Sequence, residues 1–266
     1  GAIVIGKTNT PEFGCGGGQT TNAVCGETRN PYDLTRACGS SSGGAAVALA
    51  ARLAPLADGS DFGGSLRHPA GHCNVVGFRP TPGRVPAFPA ELGWFTLRTD
   101  GPMGRTVADT ALLLSVQAGS DPRSPIALPE PGEAFAGSLQ RDFAGARVAF
   151  SPDLGFLPVD SRVRDIFERQ RAVLQDLGLE VIDAAPDLRA APGIFRVLRA
   201  WRYTLAHGAR VRDPAKRAVM KPDLVRNTEQ GFELSAEDVA LAEGQRTELF
   251  HHMREFMESF DFLVIP

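Results

Sequence analysis

The sequence has few cysteines, and none has the spacing of a metal site or a disulfide framework. Neither a Cys-x-x-Cys pair nor a Cys/His cluster occurs among the four, which are Cys15, Cys25, Cys38 and Cys73. Isolated cysteines of this kind are typical of free buried thiols in a reducing compartment. We therefore predict a cytoplasmic protein with free buried thiols and no metal ion.

The sequence also lacks basic runs and long apolar runs. Its formal net charge is -3 over 266 residues, which gives no electrostatic reason to bind nucleic acid. No apolar segment is long enough to cross a bilayer, and residues 1–5 carry no charged region typical of a signal peptide. We therefore expect neither nucleic acid nor a membrane as a partner.

Glycine is abundant, and it gathers with serine in one part of the chain, residues 39–84. This stretch contains three motifs, which are Gly39–Gly44, Gly59–Arg67 and Gly77–Arg84. Glycines cluster where the backbone approaches a ligand closely or takes a positive φ angle. Serines beside them can act as nucleophiles, proton relays or donors to an oxyanion. The stretch is therefore typical of an active site.

The order of the predicted elements indicates an α/β fold in one domain. Helices are predicted at residues 42–54, 106–118, 160–177, 194–207 and 236–259, with strands at 3–5, 54–58, 147–150 and 179–182 and a strand and turn at 75–84. A short helix with Thr10 as its cap and Pro11 at its first position is also predicted. The strand–helix–strand order of residues 147–182 predicts a parallel strand pair.

Two further features concern the first part of the chain and its ends. Residues 13–36 show no clear period and are punctuated by glycines, Gly16 among them, which favours a functional irregular segment. Apolar strands are predicted at both ends of the chain, at residues 3–5 and 262–266. Because chain termini normally lie in exposed segments, we expect the chain to be the middle of a longer protein.

The three glycine motifs closely resemble those of the amidase signature family. Further segments that fit the family are Gly6–Asn9 with Glu12 and Phe13, Thr28–Asp33, and Gly101–Met103. The resemblance is detailed from Gly1 to about Ala118, and beyond that only the element order is compatible. It implies a mixed, mostly parallel central sheet covered by helices. It also implies that residues 1–266 are one partial domain, without the N-terminal region that holds the catalytic lysine and without the C-terminal region.

The resemblance also implies a Ser–cis-Ser–Lys mechanism of amide hydrolysis, without metal or organic cofactor. Ser65 aligns with the nucleophile, and Ser41 aligns with the bridging serine, whose peptide bond to Ser40 is expected to be cis. A serine hydroxyl needs a base, so Ser41 would relay the proton of Ser65 to a neutral lysine. The backbone N–H groups that align with the oxyanion hole are those of Phe62, Gly63, Gly64 and Ser65.

The sequence departs from the family pattern at two points. Ser40 stands where the family usually has glycine. The only lysines are Lys7, Lys216 and Lys221, and Lys7 falls in the Gly-Lys-Thr-Asn segment, which is not the catalytic strand of the family. We therefore expect the catalytic lysine to lie outside this chain.

Neighbouring polar residues have alternative interpretations. We interpret Ser42 as structural or as a hydrogen-bond partner of Ser65, and Asp61 and Arg67 as a pair that orders the loop, with substrate contact as the alternative for each. A Ser-His-Asp triad of Ser65, His68 and Asp61 is disfavoured, because His68 lies on the same short segment as the nucleophile. Four aromatic residues are candidates for a substrate pocket or for the core, namely Phe13, Trp94, Trp201 and Tyr203.

The main functional hypothesis is a stand-alone amidase that acts on a small-molecule amide. The alternatives are the amidase subunit of a tRNA-dependent amidotransferase and a non-catalytic amide-binding protein that lacks the lysine. Residues 85–94 do not look like the amidotransferase branch of the family. A homodimer is one option for the oligomeric state.

Overall fold

The computed structural model describes residues 2–15 and 17–266. The chain forms two compact units, Gly1–Leu139 and Gln140–Pro266. Gly16, one of the glycines of the irregular segment, and Gly1 lie outside the described residues. The expectation of one partial domain over residues 1–266 remains a prediction.

The described residues of the first unit form small antiparallel sheets and three α-helices. The strands are β1 (Thr21–Asn22), β2 (Gly26–Glu27), β3 (Arg29–Asn30), β4 (Asp33–Ala37), β5 (Leu56–Asp61), β6 (Val76–Gly77) and β7 (Thr99–Gly104). The α-helices are α1 (Gly43–Ala50), α2 (Arg67–Cys73) and α3 (Val107–Gln117), and short 3₁₀ helices span Glu12–Gly14 and Gly132–Phe135. Strands β1 and β2 pair with each other, as do β3 and β4, while β7 lies between β5 and β6.

The second unit is built on a parallel sheet. Its elements are β8 (Arg147–Phe150), α4 (Ser161–Asp176), β9 (Glu180–Asp183), α5 (Ala191–Arg212), α6 (Pro214–Arg217), α7 (Pro222–Phe232), α8 (Ala236–Met257) and β10 (Phe262–Val264). The strand order is β10–β8–β9, and both pairs are parallel. The predicted parallel pair of residues 147–182 is therefore confirmed.

The helix that follows the first glycine motif packs through small side chains. Helix α1 buries Ala45, Ala46 and Leu49 in a core that also contains Leu66 and Met103. Small residues let the helix approach its neighbours closely, so the glycine loop at its start is held near the sheet. The helix predicted at 42–54 is confirmed, but it ends at Ala50. The chain turns soon afterwards, at Arg52, which has a positive φ of 60°.

Two sequence predictions for the start of the chain are wrong. Residues 3–5 form no strand, and the Ile3 side chain is 88% exposed. Among the described residues no strand pairs with this run, so its apolar side chains have no sheet on which to pack. The first short helix begins at Glu12, with Pro11 rather than Thr10 as its N-cap, because the ψ angle of Pro11 is extended at 163°.

The remaining predictions differ from the structure mainly at element ends. The strand predicted at 54–58 runs from Leu56 to Asp61, since it pairs with β7 as far as the Asp61–Thr99 pair. Thr106 caps α3 by accepting a hydrogen bond from the Asp109 N–H at 3.1 Å, as predicted. Helix α7 was not predicted, although Pro222 stands at its first turn.

The α/β fold class is confirmed. Within the described residues, the parallel strand pairs all belong to the second unit, whereas the strand pairs of the first unit are antiparallel. No helix in the described part of the chain is both long and apolar enough to span a membrane.

Candidate active site

The end of β5 and the turn after it position Ser65. The strand ends at Asp61, the chain turns through residues 62–66, and α2 begins at Arg67. Gly64 has a φ of 105°, and a Cβ atom there would lie 2.6 Å from the His68 imidazole. Only glycine fits this conformation and this space without strain. The turn therefore leaves Ser65 half-buried between β5 and α2.

The loop before α1 positions Ser41. The peptide bond between Ser40 and Ser41 is cis, as the sequence resemblance predicted. Ser41 and Ser42 are both buried, and Ser42 is the N-cap residue of α1. The Thr20 hydroxyl donates a hydrogen bond to the Gly39 carbonyl at 2.8 Å and so fixes the start of the loop.

Main-chain contacts bring the two serine segments together. The Ser42 N–H donates to the Ser65 carbonyl at 3.3 Å. The Ser42 hydroxyl also accepts a hydrogen bond from the Ser60 N–H, at 3.3 Å. Among the described residues no hydrogen bond joins the Ser41 and Ser65 hydroxyls. The backbone contact of Ser42 with Ser65 thus joins the loop that contains Ser41 to the turn that contains Ser65.

Asp61 is the buried centre of the turn. Its side chain is fully buried, and its carboxylate accepts hydrogen bonds from the Gly64 N–H at 2.9 Å and the Leu66 N–H at 3.2 Å. These two N–H groups lie on either side of Ser65. The Arg67 guanidinium donates two hydrogen bonds to the same carboxylate, at 3.0 and 3.1 Å. Such bidentate, charge-assisted bonds fix geometry strongly.

Arg79 makes a second ionic contact with Asp61. Its Nη1 donates to the carboxylate at 3.1 Å, and its Nη2 donates to the Leu97 carbonyl at 2.9 Å. Burial alone would raise the pKa of Asp61, but the hydrogen bonds from Arg67 and Gly64 and the charges of Arg67 and Arg79 lower it below its ordinary value. The carboxylate is therefore ionised at neutral pH.

The contacts of Asp61 concern two predictions, which are its pairing with Arg67 and the oxyanion role of the Gly64 N–H. The predicted pairing of Asp61 with Arg67 is present, and it orders the turn. The Gly64 N–H already donates to Asp61, so a substrate oxyanion would compete with the carboxylate for this donor. In the described part of the chain, the N–H groups of Gly63 and Ser65 have no such intramolecular acceptor.

His68 does not complete a Ser-His-Asp arrangement. Its imidazole lies against Gly64, and no hydrogen bond between described residues joins it to Asp61 or Ser65. Burial and the neighbouring Arg67 charge lower the pKa of His68. Both oxygens of Asp61 are occupied by guanidinium and backbone donors instead, so this carboxylate does not orient an imidazole.

The structure also places the cysteines and Lys7. All four thiols are free, and the prediction of burial is wrong only for the exposed Cys25. Burial and the nearby Cys38 raise the pKa of Cys73 to about 11, so this thiol is not activated. Lys7, the only lysine of the first unit, is exposed.

The four aromatic candidates differ in their surroundings. Phe13 is 54% exposed beside Gly14, where a Cβ atom would lie 3.9 Å from the Ser41 hydroxyl oxygen. Trp94 is 77% exposed. In the second unit, Tyr203 is buried and stacks with Arg199, which is typical of core packing, and Trp201 is half-buried.

Sequence reasoning did not identify Arg79 or Phe95 as neighbours of the turn. Arg79 stands in the third glycine motif, which was recognised, but its contact with Asp61 depends on how β6 and β7 return to β5. The Phe95 ring meets the Phe62 ring edge to face, with centroids 5.4 Å apart. No periodic signal in the sequence connects these positions.

Comparison with known proteins identifies the family to which this site belongs. The family model described as Amidase matches residues 1–266. The chain belongs to the amidase family. Within this family, the chain is 35% identical over 267 residues to an acylamidase of Rhodococcus erythropolis, covering 100% of this chain and 56% of that protein.

Two further relatives are an amidotransferase subunit and an aryl acylamidase of known structure. The A subunit of the glutamyl-tRNA(Gln) amidotransferase of Desulforapulum autotrophicum is 41% identical over 204 residues, covering 74% of this chain and 41% of that protein. The crystal structure of a bacterial aryl acylamidase of the amidase signature family superposes with a TM-score of 0.88 at 29% identity, covering 98% of this chain and 55% of that one. The chain thus spans about half the length of the relatives that it matches.

Proposed function

We propose that the protein containing this chain hydrolyses the C–N bond of a carboxylic amide through an acyl-enzyme on Ser65. The observation that carries the proposal is the contact of the Ser42 N–H with the Ser65 carbonyl, at 3.3 Å. This contact seats the loop with the cis Ser40–Ser41 bond on the turn that bears Ser65. Membership of the amidase family supports the same reaction.

In the proposed mechanism, Ser65 Oγ attacks the amide carbonyl. Its proton passes to Ser41 Oγ, and the proton of Ser41 passes to a neutral lysine from outside residues 1–266. As the C–N bond breaks, the proton returns by the same route to the leaving amine. Water then attacks the Ser65 ester and gives a proton to the same relay. The ester C–O bond breaks, Ser65 Oγ takes a proton back, and the carboxylic acid is released.

The oxyanion of the tetrahedral intermediate would be bound by backbone N–H groups of the turn. We assign this role to Phe62, Gly63 and Ser65, and to Gly64 when its N–H leaves the Asp61 carboxylate. Preorganised donors of this kind stabilise a transition state by about 3 kcal/mol each. Asp61, Arg67 and Ser42 hold the turn and the loop rather than contact the reacting atoms in this proposal.

A second candidate is the amidase subunit of a glutamyl-tRNA(Gln) amidotransferase. The 41% identity to one such subunit over 74% of this chain favours it. Both functions use the same serine chemistry, but in the amidotransferase ammonia passes to a partner rather than to solvent. We prefer the stand-alone amidase, because residues 85–94 do not look like the amidotransferase branch. A non-catalytic amide-binding protein remains the third hypothesis, since residues 1–266 supply no lysine in the expected place.

Ammonia release from simple amides by the full-length protein tests the proposal. We expect Ser65→Ala to abolish hydrolysis without changing the circular dichroism spectrum. Ser161→Ala, at an exposed position in the first turn of α4, is the matched control and should keep full activity. Turnover by Ser65→Ala near the wild-type rate would contradict the assignment.

We also infer that the protein resides in the cytoplasm, where its free thiols would stay reduced. The free cysteines support this inference. Cell fractionation checks it, and recovery of the protein outside the cytoplasm would contradict it.

A further inference from the structure

Arg79 reaches the turn at residues 62–66 from the chain that follows β6. Its side chain is 23% exposed. Nη1 donates to the carboxylate of Asp61 at 3.1 Å and also to the main-chain carbonyl of Asp61. Nη2 donates to the Leu97 carbonyl at 2.9 Å. Because both carbonyls lie outside the turn, they hold the guanidinium in place while residues 62–66 change their hydrogen bonds.

The Arg79 guanidinium shares one carboxylate oxygen with a proposed oxyanion donor. Within the described residues, Oδ1 of Asp61 accepts a hydrogen bond from the Gly64 N–H at 2.9 Å. The same oxygen accepts from Arg67 Nη2 and from Arg79 Nη1, each at 3.1 Å. A carboxylate oxygen has about two lone pairs, so these donors compete for it. Because charged donors bind a carboxylate more strongly than a neutral N–H does, the Gly64 N–H is the donor that Oδ1 loses at least cost.

The two arginines differ in where they are attached and in how exposed they are. Arg67 begins α2, directly after the turn, and its side chain is 56% exposed. The charge of Arg79 is less screened by solvent, because its side chain is 23% exposed. A buried carboxylate repels an oxyanion that develops near it unless a cation compensates its charge. Arg79 is therefore the better placed arginine to compensate Asp61 while Gly64 changes its acceptor.

We propose that Arg79 is a positioning residue for amide hydrolysis and that it acts through Asp61. As the tetrahedral oxyanion forms, the Gly64 N–H leaves Oδ1 and donates to the oxyanion. Arg79 stays on Oδ1 and keeps the carboxylate hydrogen-bonded and paired with a positive charge. This inference rests on the proposed amidase function. Arg79 does not contact the substrate in this proposal, so its loss should affect the transition state more than substrate binding.

Hydrolysis of acetamide by the full-length Arg79→Ala protein tests this inference. We expect kcat to fall about 10–100-fold and KM to stay within about twofold of wild type, because an oxyanion donor is impaired but not removed. Arg79→Lys should have a kcat between the two, since its single ammonium keeps the charge but replaces the two-ended guanidinium. Guanidinium chloride at millimolar concentration, far below denaturing concentrations, should restore part of the kcat of Arg79→Ala without changing the circular dichroism spectrum.

Arg84→Ala is the matched control for Arg79→Ala. Arg84 stands in the same glycine motif, its side chain is 19% exposed, and it pairs with Glu130. This variant should keep kcat within about twofold of wild type and should not respond to guanidinium.

A folded Arg79→Ala protein with wild-type kcat, or one in which KM changes and kcat does not, would overturn the role of Arg79 and leave the amidase proposal intact. A lowered kcat that neither guanidinium nor lysine restores in any part would indicate a role limited to folding and would overturn it as well. A wild-type protein that hydrolyses no amide and is not labelled at Ser65 by a fluorophosphonate would overturn both proposals.

Discussion

At the scale of single residues, Asp61 determines the shape of the turn at residues 62–66. Its buried carboxylate accepts hydrogen bonds from the N–H groups on both sides of Ser65 and from two arginines. We therefore propose that the carboxylate positions Ser65 and does not exchange protons with the substrate. Replacement of Asp61 by asparagine is therefore expected to lower the free energy of unfolding.

Asp61→Asn should lower the free energy of unfolding by about 2–4 kcal/mol, because it removes the buried charge that pairs with Arg79 and Arg67. The ion pair with Arg67 contributes little to this free energy, because the Arg67 side chain is 56% exposed and its charge is screened by solvent. Urea denaturation measures the change. Asp58→Asn is the control, because Asp58 is an exposed residue on the same strand. Its free energy of unfolding should stay within about 0.5 kcal/mol of the wild-type value. Equal stability of both variants would contradict this role.

The same carboxylate predicts a pH dependence of stability. The pKa of Asp61 is lowered in the folded state, whereas the pKa of an unfolded aspartate is about 3.9. The unfolded state therefore binds more protons between the two values, and the contribution of Asp61 is full above about pH 4 and is lost as the pH falls through the folded pKa. The stability gap between wild type and Asp61→Asn should narrow below about pH 4. A gap that widens in acid would contradict the ionised pair.

Ser41 is the residue whose proposed role is the relay. Ser41→Ala should leave a slow enzyme, about 10²–10⁴-fold below wild type in kcat, because the oxyanion donors remain while proton transfer is impaired. Steady-state ammonia release measures the loss, and circular dichroism checks the fold. Full activity in this variant would rule out the relay.

At the scale of elements, the site depends on how closely β5 packs against the start of α1. A Cβ atom at Gly59 would lie 2.5 Å from the Ser42 hydroxyl and 2.9 Å from Leu66 Cδ2. Gly59→Ala should therefore separate the strand from the serine loop and slow the reaction of Ser65 at least tenfold, with a loss of about 1–3 kcal/mol in stability from overpacking.

Gly71→Ala in α2 is the matched control for Gly59→Ala. No atom lies within 4 Å of its ideal Cβ position, and its φ is not positive. Alanine is the better helix former, so this variant should gain about 0.5–1 kcal/mol and keep its activity. Thermal unfolding and the rate of fluorophosphonate labelling measure both variants. If Gly59→Ala had the same thermal stability and labelling rate as Gly71→Ala, close packing of β5 against the start of α1 would not be needed for the reaction of Ser65.

Element type was predictable for α3, β8, α4 and β9, where a cap, an amphipathic period or the strand–helix–strand order marked the element. Thr106 capped α3 as expected, and β8, α4 and β9 appeared in the predicted order with the predicted parallel pairing. Residues 3–5 were misread, because an apolar run predicts a strand only if another strand pairs with it. Helix α7 was missed, although Leu224 and Val225 recur at a helical spacing with the buried Thr228 and Gly231, because Asn227, Thr228 and Gly231 have low helix propensity.

At the scale of the whole molecule, the candidate site lies within the first unit. The resemblance of the glycine motifs to the amidase signature family implied the cis bond before Ser41, which the structure contains. The contacts of Arg79 with Asp61 and of Phe95 with Phe62 could not be predicted. They arise only when β6, β7 and the segment after Arg84 fold back on β5. Tertiary packing, not sequence pattern, decides them.

The proposed reaction needs a neutral lysine, and we expect that lysine to lie outside residues 1–266. The full-length protein is therefore the proper material for any activity measurement. The chain spans about half the length of its relatives, so we expect the complete site to belong to a longer molecule.

Fluorophosphonate labelling of the full-length protein, with the modified peptide mapped by mass spectrometry, tests the central claim most directly. We expect one stable label on Ser65, strongly slowed in Ser41→Ala and absent in Ser65→Ala. A folded protein that carries no label on Ser65 would contradict an activated nucleophile there and would favour the non-catalytic amide-binding hypothesis.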